Sequence, residues 1–393
     1  MPDIRSAQEH PAHLFSSAVR KHFADLSDPR VSRTRRYTLC DLLLIALCAV
    51  VCGADGFVAI QEWGQAKADW LCERFGVEAI PSHDTFGRVF ALLDPYAFAA
   101  CFAAWTADLH EKTKGEVIAL DGKTVRSSMD AASGKAALHL VSAWATGSGL
   151  SLAQRAVDGK SNEITALPEL LGLLDLEGCI VTADAMGCQK EVARLVQEKG
   201  GDYVLALKGN HPNLHESVRR FFEQSRQNEW RTGFGNVAHR HCWTQEKGHG
   251  RIEIRRCWVV DTDIAWLDPD GQWAGLASVA AVECERRVGA GASAKTTVEV
   301  RYFLSSLRGS ARQVLRAVRR HWGIENNLHW TLDLAFREDE SRVRKDHAGE
   351  NLATLRKLAL NLLKRETTAK VGIAIKRAKA GWDNQYLAKI LVS

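Results

Sequence analysis

An acidic residue follows each of two apolar runs, and a pair of such carboxylates could bind the metal ions that cleave a phosphodiester. Asp121 follows the run Val117–Leu120, and Asp184 comes shortly after the run Cys179–Thr182. If the two runs are neighbouring strands, both carboxylates lie at one sheet edge and repel each other unless protons or cations separate them. Mg²⁺ prefers oxygen ligands, and two ions about 3.5–4 Å apart can activate both the attacking and the leaving oxygen of a phosphodiester.

A third acid is predicted on a helix from Ala311 to about Leu334. Helical spacing places Glu325 on the apolar face of that segment, so we expect a carboxylate within a buried stripe. Such a carboxylate needs a metal or a salt partner, and a pair with His321 or His329, each four residues away, is the alternative to a metal. For either aspartate alone, capping of the following turn is the simpler interpretation. Rival acids near the helix end are predicted to face solvent: Glu338, Asp339 and Glu340.

The order of predicted elements explains how the two aspartates meet. Apolar runs predict strands at 117–120, 138–145 and 150–157, with Thr146-Gly147-Ser148-Gly149 as the turn of the second hairpin. A helix at 164–174 (with Ser161 or Asn162 near its start), a strand at 179–182, a helix at 189–199 and a strand at 203–207 follow. Three antiparallel strands extended by two parallel ones form a mixed five-stranded sheet covered by helices, an α/β fold of ribonuclease-H-like order.

The chain divides into two parts at about residue 110. Residues 1–110 are predicted to form a helical domain that binds DNA, in which Ser82 caps a short helix, although a plain helical bundle fits the same pattern. Residues 111–393 are the predicted catalytic domain. A β-rich insertion at about 211–305, with strands at 251–260, 280–287 and 297–304, precedes the helical tail. Arginines ahead of the first long helix offer modest support for phosphate binding: Arg30, Arg33, Arg35 and Arg36.

Composition favours a polyanionic partner and argues against a membrane protein. The 393-residue chain is 46% hydrophobic, yet its longest apolar run, Leu42–Ala54, is too short to span a bilayer. Residues 301–380 contain eighteen Lys and Arg against eight Asp and Glu, which suits nucleic acid or simply a solvated helical surface. We expect a cytoplasmic, nucleoid-associated protein with reduced cysteines. One cluster matches no standard zinc spacing, so zinc is not expected there: His239, His241, Cys242 and His249.

Several sequence blocks together resemble the DDE transposases of bacterial insertion sequences. They are Ile118-Ala119-Leu120-Asp121-Gly122-Lys123, Thr182-Ala183-Asp184-Ala185 and His321-Trp322-Gly323-Ile324-Glu325-Asn326. Two further blocks resemble the H-repeat-associated branch: Gly248-His249-Gly250-Arg251-Ile252-Glu253 and Asp346-His347-Ala348-Gly349-Glu350-Asn351-Leu352. The likeness covers nearly the whole chain. It departs from the wider family at Val318, His321 and Leu332, where that family carries Tyr, Arg and Lys around the glutamate.

The resemblance implies a polynucleotidyl transferase in which Asp121, Asp184 and Glu325 bind two Mg²⁺ ions, for which Mn²⁺ can substitute. The implied partner is double-stranded DNA, as terminal inverted repeats and as target, bound by a homodimer. Trp322 is expected either to pack in the core or to stack a base. The resemblance adds Arg251 as a DNA contact. Phosphate contacts are expected at Lys123, Arg126, Lys208, Arg320, His321 and His329. For Lys123, Arg126 and Lys208, the alternative is an ordinary cation on the protein surface.

Two other functions stay open at this stage. A catalytically silent DNA-binding relative would be expected to have lost part of the acidic triad, whereas all three acids are present. A metal-dependent nuclease without strand transfer would share the triad, so the residues do not separate it from a transposase. The N-terminal helices favour the transposase, because a nuclease has no need of a separate domain for recognising DNA ends.

Overall fold

The computed structural model describes residues 15, 19–110, 112–130, 134, 136–157, 163–232, 235–248, 250–289 and 295–392. The N-terminal part is helical, as predicted. Its helices are α1 (Leu39–Val51), α2 (Phe57–Ala66), α3 (Ala68–Phe75), α4 (His83–Leu92) and α5 (Pro95–Leu109). The predicted cap of α4 is confirmed, since Ser82 Oγ accepts a hydrogen bond of 3.4 Å from the Thr85 amide.

The first five strands form the predicted sheet. They are β1 (Val117–Val125), β2 (Leu138–Ala145), β3 (Leu150–Ala156), β4 (Ile180–Ala183) and β5 (Asp202–Leu207). Their spatial order is β3-β2-β1-β4-β5, with β1 antiparallel to β2 and parallel to β4, and β4 parallel to β5. The mixed five-stranded arrangement is therefore confirmed. The helix cap predicted at Ser161 or Asn162 lies outside the described residues.

Four strands of the insertion continue the same sheet beyond β5. They are β6 (Arg240–Gly248), β7 (Arg251–Val260), β8 (Ser278–Val288) and β9 (Lys295–Ser305), in the spatial order β5-β9-β8-β7-β6. The sequence predicted β7, β8 and β9, but neither β6 nor the junction of the insertion with the main sheet. Because nearly all of β6 is exposed on both faces, it lacks the alternation of apolar and polar residues that marks a half-buried strand.

Helices cover both faces of the sheet around β1. They are α6 (Glu163–Gly172), α7 (Lys190–Glu198), α8 (Pro212–Gln227) and α9 (Ala311–His321). Successive strand residues point to opposite faces, so Val117 packs in one core with Val314 of α9 while Ile118 packs in another with Leu167 of α6. The centre of the sheet is thus fixed from both sides.

The C-terminal tail packs against the N-terminal helices. A π-helix at Glu325–His329 leads into α10 (Trp330–Phe336), followed by α11 (Ala348–Arg365), α12 (Ile373–Trp382) and α13 (Asn384–Leu391). One hydrophobic core joins α1 and α5 with α10 and α11. The domain boundary near residue 110 stays a prediction.

A helix that crosses a bilayer must be both long and apolar. No single helix in the described part of the chain meets both requirements. The pair His83–Leu92 and Pro95–Leu109 reaches them only when both helices are taken together, and it is bent by 94° at the break.

Candidate active site

Two central strands bring Asp121 and Asp184 side by side. Leu120 pairs with Ala183 in the parallel ladder, and each aspartate directly follows one of these partners. The prediction that Asp121 ends its strand is wrong, because β1 continues to Val125 by pairing with β2 after its pairing with β4 has stopped. The two strands separate at the aspartates, and a cavity lies at this point.

Asp121, Asp184 and Glu325 line one cavity of about 250 Å³. Apolar side chains such as Phe303 and Val318 form part of its wall. The wall also carries polar and aromatic side chains. Thr182, Arg301 and His321 belong to β4, β9 and α9, whereas Lys208 directly follows β5 and Trp322 directly follows α9. The structure therefore brings the three predicted acids together.

Glu325 reaches the cavity through a break in the helix. The predicted helix from Ala311 to about Leu334 is present, but it is interrupted at Trp322 and passes through a π-helix at Glu325–His329. The wider π-turn rotates Glu325 out of the apolar stripe, so its side chain is 63% exposed while Leu328 is buried. Single π-turns inside helices are frequent at functional sites.

The electrostatic surroundings of Asp121 disfavour its ionised form. Its side chain is 22% exposed. Burial, together with the negative charges of Asp184, Glu325 and Glu163, raises the pKa of Asp121 to about 7. In the metal-free protein this carboxyl therefore holds a proton up to near-neutral pH, and a divalent cation would take the place of that proton.

Gly122 allows a second acid to approach Asp121. His139 Nε2 lies 2.6 Å from Glu163 Oε1, and this pair is close to the β1 backbone. A Cβ atom at position 122 would lie 2.1 Å from Glu163 Oε1 and 2.8 Å from His139 Nε2, so a larger residue would displace the pair. The glycine thus permits the Glu163 charge that contributes to the raised pKa of Asp121.

Asp184 is held by the turn that follows it. Its Oδ1 accepts hydrogen bonds from the amides of Met186 at 3.0 Å and Gly187 at 3.2 Å. The turn-capping interpretation of this aspartate is thus realised at one oxygen. Its place in the cavity wall shows that capping and cavity lining occur in the same side chain.

His329 stands beside Asp121 and Glu325. Its Nδ1 lies 3.5 Å from Asp121 Oδ2 and 3.8 Å from Glu325 Oε2. Burial and the positive charges of Lys357 and Lys123 lower the pKa of His329 to about 3, so the ring is neutral. The prediction that His329 contacts DNA is wrong, because the residue is only 5% exposed.

Lys123 belongs to an internal ion-pair network. Its Nζ lies 2.5 Å from Asp333, 2.9 Å from Glu338 and 3.3 Å from Asp339, and its side chain is 10% exposed. The prediction of a DNA contact at Lys123 is therefore wrong, as is the prediction that Glu338 faces solvent, since Glu338 is fully buried. Arg126 is 84% exposed and pairs with Asp339 at 3.2 Å.

His321 does not supply the charge of the arginine that the wider family carries at its position. Its Nδ1 lies 3.0 Å from Thr182 Oγ1, and burial together with Arg301 lowers the pKa of His321 to about 4. A neutral ring offers no positive charge to a phosphate. Arg320, half-buried near the end of α9, is not among the residues that line the cavity.

Trp322 lies at the rim of the cavity. Of the two roles expected for Trp322, packing in the core is wrong, because the residue lies at the interruption of the helix and is 48% exposed. The guanidinium carbon of Arg301 lies 4.7 Å from the centroid of its ring. The guanidinium of Arg301, from β9, thus packs against the partly exposed ring of Trp322.

Arg301 is a site residue that sequence reasoning missed. It precedes Tyr302, which pairs with Leu207, so Arg301 and the exposed Lys208 meet where β9 joins β5. Glu299 accepts hydrogen bonds from Arg301 Nε at 2.7 Å and Nη2 at 3.0 Å. In the sequence, Arg301 is only a polar residue within a predicted strand. The pairing of β9 with β5, which the sequence did not predict, places it at the cavity.

A second groove adjoins the cavity. It has a volume of about 490 Å³ and shares Arg301, Val318 and Trp322 with the cavity. Arg251 lines this groove rather than the cavity itself, with its side chain 45% exposed and Nε 2.9 Å from Glu253 Oε1. The predicted DNA contact at Arg251 is thus compatible with its position.

The donor atoms of the site suit a divalent cation. Within the described part of the chain, Asp121, Glu325 and His329 form a group of potential ligands whose atoms lie within 4.8 Å of one another. Carboxylate oxygens suit Mg²⁺ and Mn²⁺, and a neutral imidazole suits Mn²⁺ among these two. In the cluster considered for zinc, His241 stacks on Trp258, and His249 lies outside the described residues.

Two family models match most of the chain. The family model "Transposase DDE domain" matches residues 112–362, and the model "DDE_Tnp_1-associated" matches residues 20–106. Among solved structures, a piggyBac transposase synaptic complex with hairpin DNA shares 11% identity over 96% of this chain and 76% of that one, with a TM-score of 0.40 that is too low to inform the site.

Full-length relatives occur in enteric bacteria. "H repeat-associated putative transposase YhhI" of Escherichia coli strain K12 is 37% identical over 94% of this chain and 97% of its own length. "Putative transposase YncI" of Escherichia coli O157:H7 is 38% identical over 94% of this chain and 93% of its own length. The chain therefore belongs to the DDE transposase family, in its H-repeat-associated branch.

Proposed function

We propose that this chain cleaves DNA at the ends of its own mobile element and joins the freed 3′-OH to target DNA. The observation that carries the proposal is the common cavity of Asp121, Asp184 and Glu325. Divalent ions held there, Mg²⁺ or Mn²⁺, supply Lewis acidity to both the attacking and the leaving oxygen of a phosphodiester.

The chain's own groups position DNA around this cavity. Asp121 loses its proton when a cation binds, and the turn at Asp184 fixes the second carboxylate. Lys208 and Arg301 present positive charge to the phosphates, and the exposed face of Trp322 offers a stacking surface for a base. Catalysis of this kind rests on positioning and charge neutralisation rather than on covalent chemistry by the protein.

The N-terminal helices offer a surface for the terminal repeat. A groove of about 700 Å³ lies between the segment before α1 and the helices α2 and α4. Its lining combines basic and hydrogen-bonding side chains of the kind that contact phosphates and base edges: Arg36, Tyr37, Gln61, Ser82 and Arg88. Arg30 also lines the groove, but its guanidinium is 9% exposed and pairs with Asp28 at 2.7 Å. In this proposal two copies of the chain hold two element ends, acting on the bacterial nucleoid in the cytoplasm.

A cleavage assay tests the proposal. Full-length protein is incubated with Mg²⁺ or Mn²⁺ and a labelled duplex that ends in the element's terminal repeat, beside Asp121→Asn. The matched control is Asp175→Asn. Asp175 is an exposed aspartate outside the cavity lining, and its Oδ2 lies 2.6 Å from Lys112 Nζ. We expect nicking at the repeat boundary by the wild type and the control, and none by Asp121→Asn.

A target plasmid separates the remaining alternatives. Joining of the labelled 3′ end to the plasmid supports the transferase. Cleavage without joining would identify a metal-dependent nuclease. Binding of the repeat without cleavage, in Mg²⁺ and in Mn²⁺ alike, would contradict the proposal and identify a silent DNA-binding relative.

A further inference from the structure

His329 is aimed at two of the three acids from inside the protein. Its Nδ1 is 3.5 Å from Asp121 Oδ2 and 3.8 Å from Glu325 Oε2. Two donors bound to one ion at about 2.1 Å each lie roughly 3–4 Å apart. The distances from His329 to both carboxylates therefore fit a single ion, and the ligand atoms of all three side chains lie within 4.8 Å of one another.

The second ring nitrogen of His329 makes no hydrogen bond with the described residues. His329 is 95% buried, and its Nε2 has no hydrogen-bond partner among the described residues. A buried polar atom without a partner costs about 1–3 kcal/mol. The buried Glu338, which interacts with His329 electrostatically, also has an unpartnered Oε1. Ligating histidines commonly donate their second nitrogen to such a carboxylate.

The π-helix gives both helical side chains the same direction. Glu325 is its first residue and His329 its last, so the two follow each other by about one wide turn. Glu325 is exposed to the cavity, whereas His329 reaches the same place from the buried side. The π-helix thus brings the carboxylate of Glu325 and the imidazole of His329 close to Asp121.

We propose that His329 Nδ1 binds the same divalent ion as Asp121 and Glu325, an inference that rests on the proposed function. Asp184 then completes the acidic triad without sharing this nitrogen ligand. A nitrogen donor favours Mn²⁺ and other transition metals over Mg²⁺. The site therefore binds Mn²⁺ in preference to Mg²⁺ more strongly than three carboxylates alone would.

Pulsed electron paramagnetic resonance of Mn²⁺ tests the ligand directly. Full-length protein is freed of metal, loaded with Mn²⁺ and examined for magnetic coupling to a directly bound ¹⁴N. We expect this coupling in the wild type, and we expect it to change to ¹⁵N coupling when the protein is grown with ¹⁵N-labelled histidine. The labelling arm needs no variant, so it is independent of any folding defect.

Two histidine variants assign the nitrogen. His329→Gln is expected to lose the coupling and to bind Mn²⁺ at least about tenfold more weakly, the lower end of what losing even an outer partner of a ligand costs. His321→Gln, which alters the histidine that lines the cavity, is expected to retain the coupling. Coupling that persists in His329→Gln, or disappears in His321→Gln, would overturn the assignment.

The remaining outcomes separate this inference from the proposed function. Mn²⁺ binding by the wild type without nitrogen coupling, abolished in Asp121→Asn, overturns the histidine ligand and leaves the three-carboxylate site intact. Absence of Mn²⁺ binding in the wild type overturns both.

Discussion

His329 Nδ1 lies 3.5 Å from Asp121 Oδ2, so the central carboxyl of the site faces a neutral ring on one side. On its other sides are the carboxylates of Asp184 and Glu325. Burial and these negative charges outweigh the backbone hydrogen bond from Gly122, which favours the ionised form of Asp121. The folded metal-free protein therefore stores an electrostatic cost at Asp121, which can be measured as stability.

We predict that Asp121→Asn stabilises the metal-free protein at pH 8. Because the pKa of Asp121 is raised to about 7, the folded state holds a proton that the unfolded state releases near pH 4. The contribution of Asp121 to wild-type stability then falls as pH rises from about 4 to 7, and above that range the variant avoids a cost of up to about 4 kcal/mol. Denaturant unfolding in a chelator at pH 4 and pH 8 measures both effects.

Asp175→Asn is the control for this measurement. Lys112 lowers the pKa of that exposed aspartate, so its loss is expected to reduce stability slightly or not at all. Equal stability of Asp121→Asn and wild type at pH 8 would show that Asp121 ionises normally. Addition of Mn²⁺ is expected to stabilise the wild type and not Asp121→Asn.

The aspartates were predictable because local signals place them. Apolar runs mark β1 and β4, and an acid follows the buried part of each run, which is enough to predict one sheet edge for Asp121 and Asp184. The position of Glu325 was not predictable in the same way. Five residues are too few for an apolar pattern to distinguish a π-turn from an ordinary helical turn, so the rotation of Glu325 leaves no sequence signal.

Long-range ion pairs also leave no local signal. Lys123 meets Asp333 and Glu338, which are more than 200 residues away, and an exposed cation would have the same sequence context. Arg301 became a site residue through the pairing of β9 with β5, which the sequence did not predict. The placement of the two aspartates was thus predictable, whereas the position of Glu325 and most of the charges around the site depend on tertiary structure.

We predict that Glu338→Gln destabilises the protein by about 3–5 kcal/mol near pH 7, because it removes the negative charge that stabilises the buried Lys357 and the Lys123 ammonium, whose Nζ lies 2.9 Å from Glu338. Burial alone would raise the pKa of Glu338, but Lys357 and Lys123 outweigh it and lower the pKa to about 2. The stability from Glu338 is therefore present above its usual pKa and is lost as the pH falls towards 2.

Chemical unfolding between pH 2 and pH 7 checks this prediction. The variant is expected to show a smaller loss of stability on acidification than the wild type does. The double variant Glu338→Gln, Lys357→Met is expected to recover part of the loss, since both buried charges are gone. Strictly additive effects of the two substitutions would contradict the coupling.

We predict that Lys208→Gln weakens DNA binding uniformly across sequences. Lys208 is exposed at the end of β5 on the cavity wall, where a phosphate would pass. Loss of one phosphate contact reduces the dependence of log affinity on log salt concentration by about 0.9. Fluorescence anisotropy at several salt concentrations measures this slope. Lys112→Gln, which removes a cation paired with Asp175, is expected to leave it unchanged.

Trp322 offers the sharpest test of how DNA lies at the cavity. We predict that Trp322→Ala weakens binding of a terminal repeat carrying an unpaired end base by about 1–3 kcal/mol, because the stacking surface is lost. Trp322→Phe is expected to retain much of the affinity, since a smaller aromatic face remains. Trp382→Ala removes a more exposed tryptophan, 77% exposed at the end of α12, and is expected to have no effect. Equal losses in the Trp322→Ala and Trp382→Ala variants would indicate nonspecific aromatic contacts, whereas a loss confined to Trp322 would place the unpaired base over the ring that Arg301 supports.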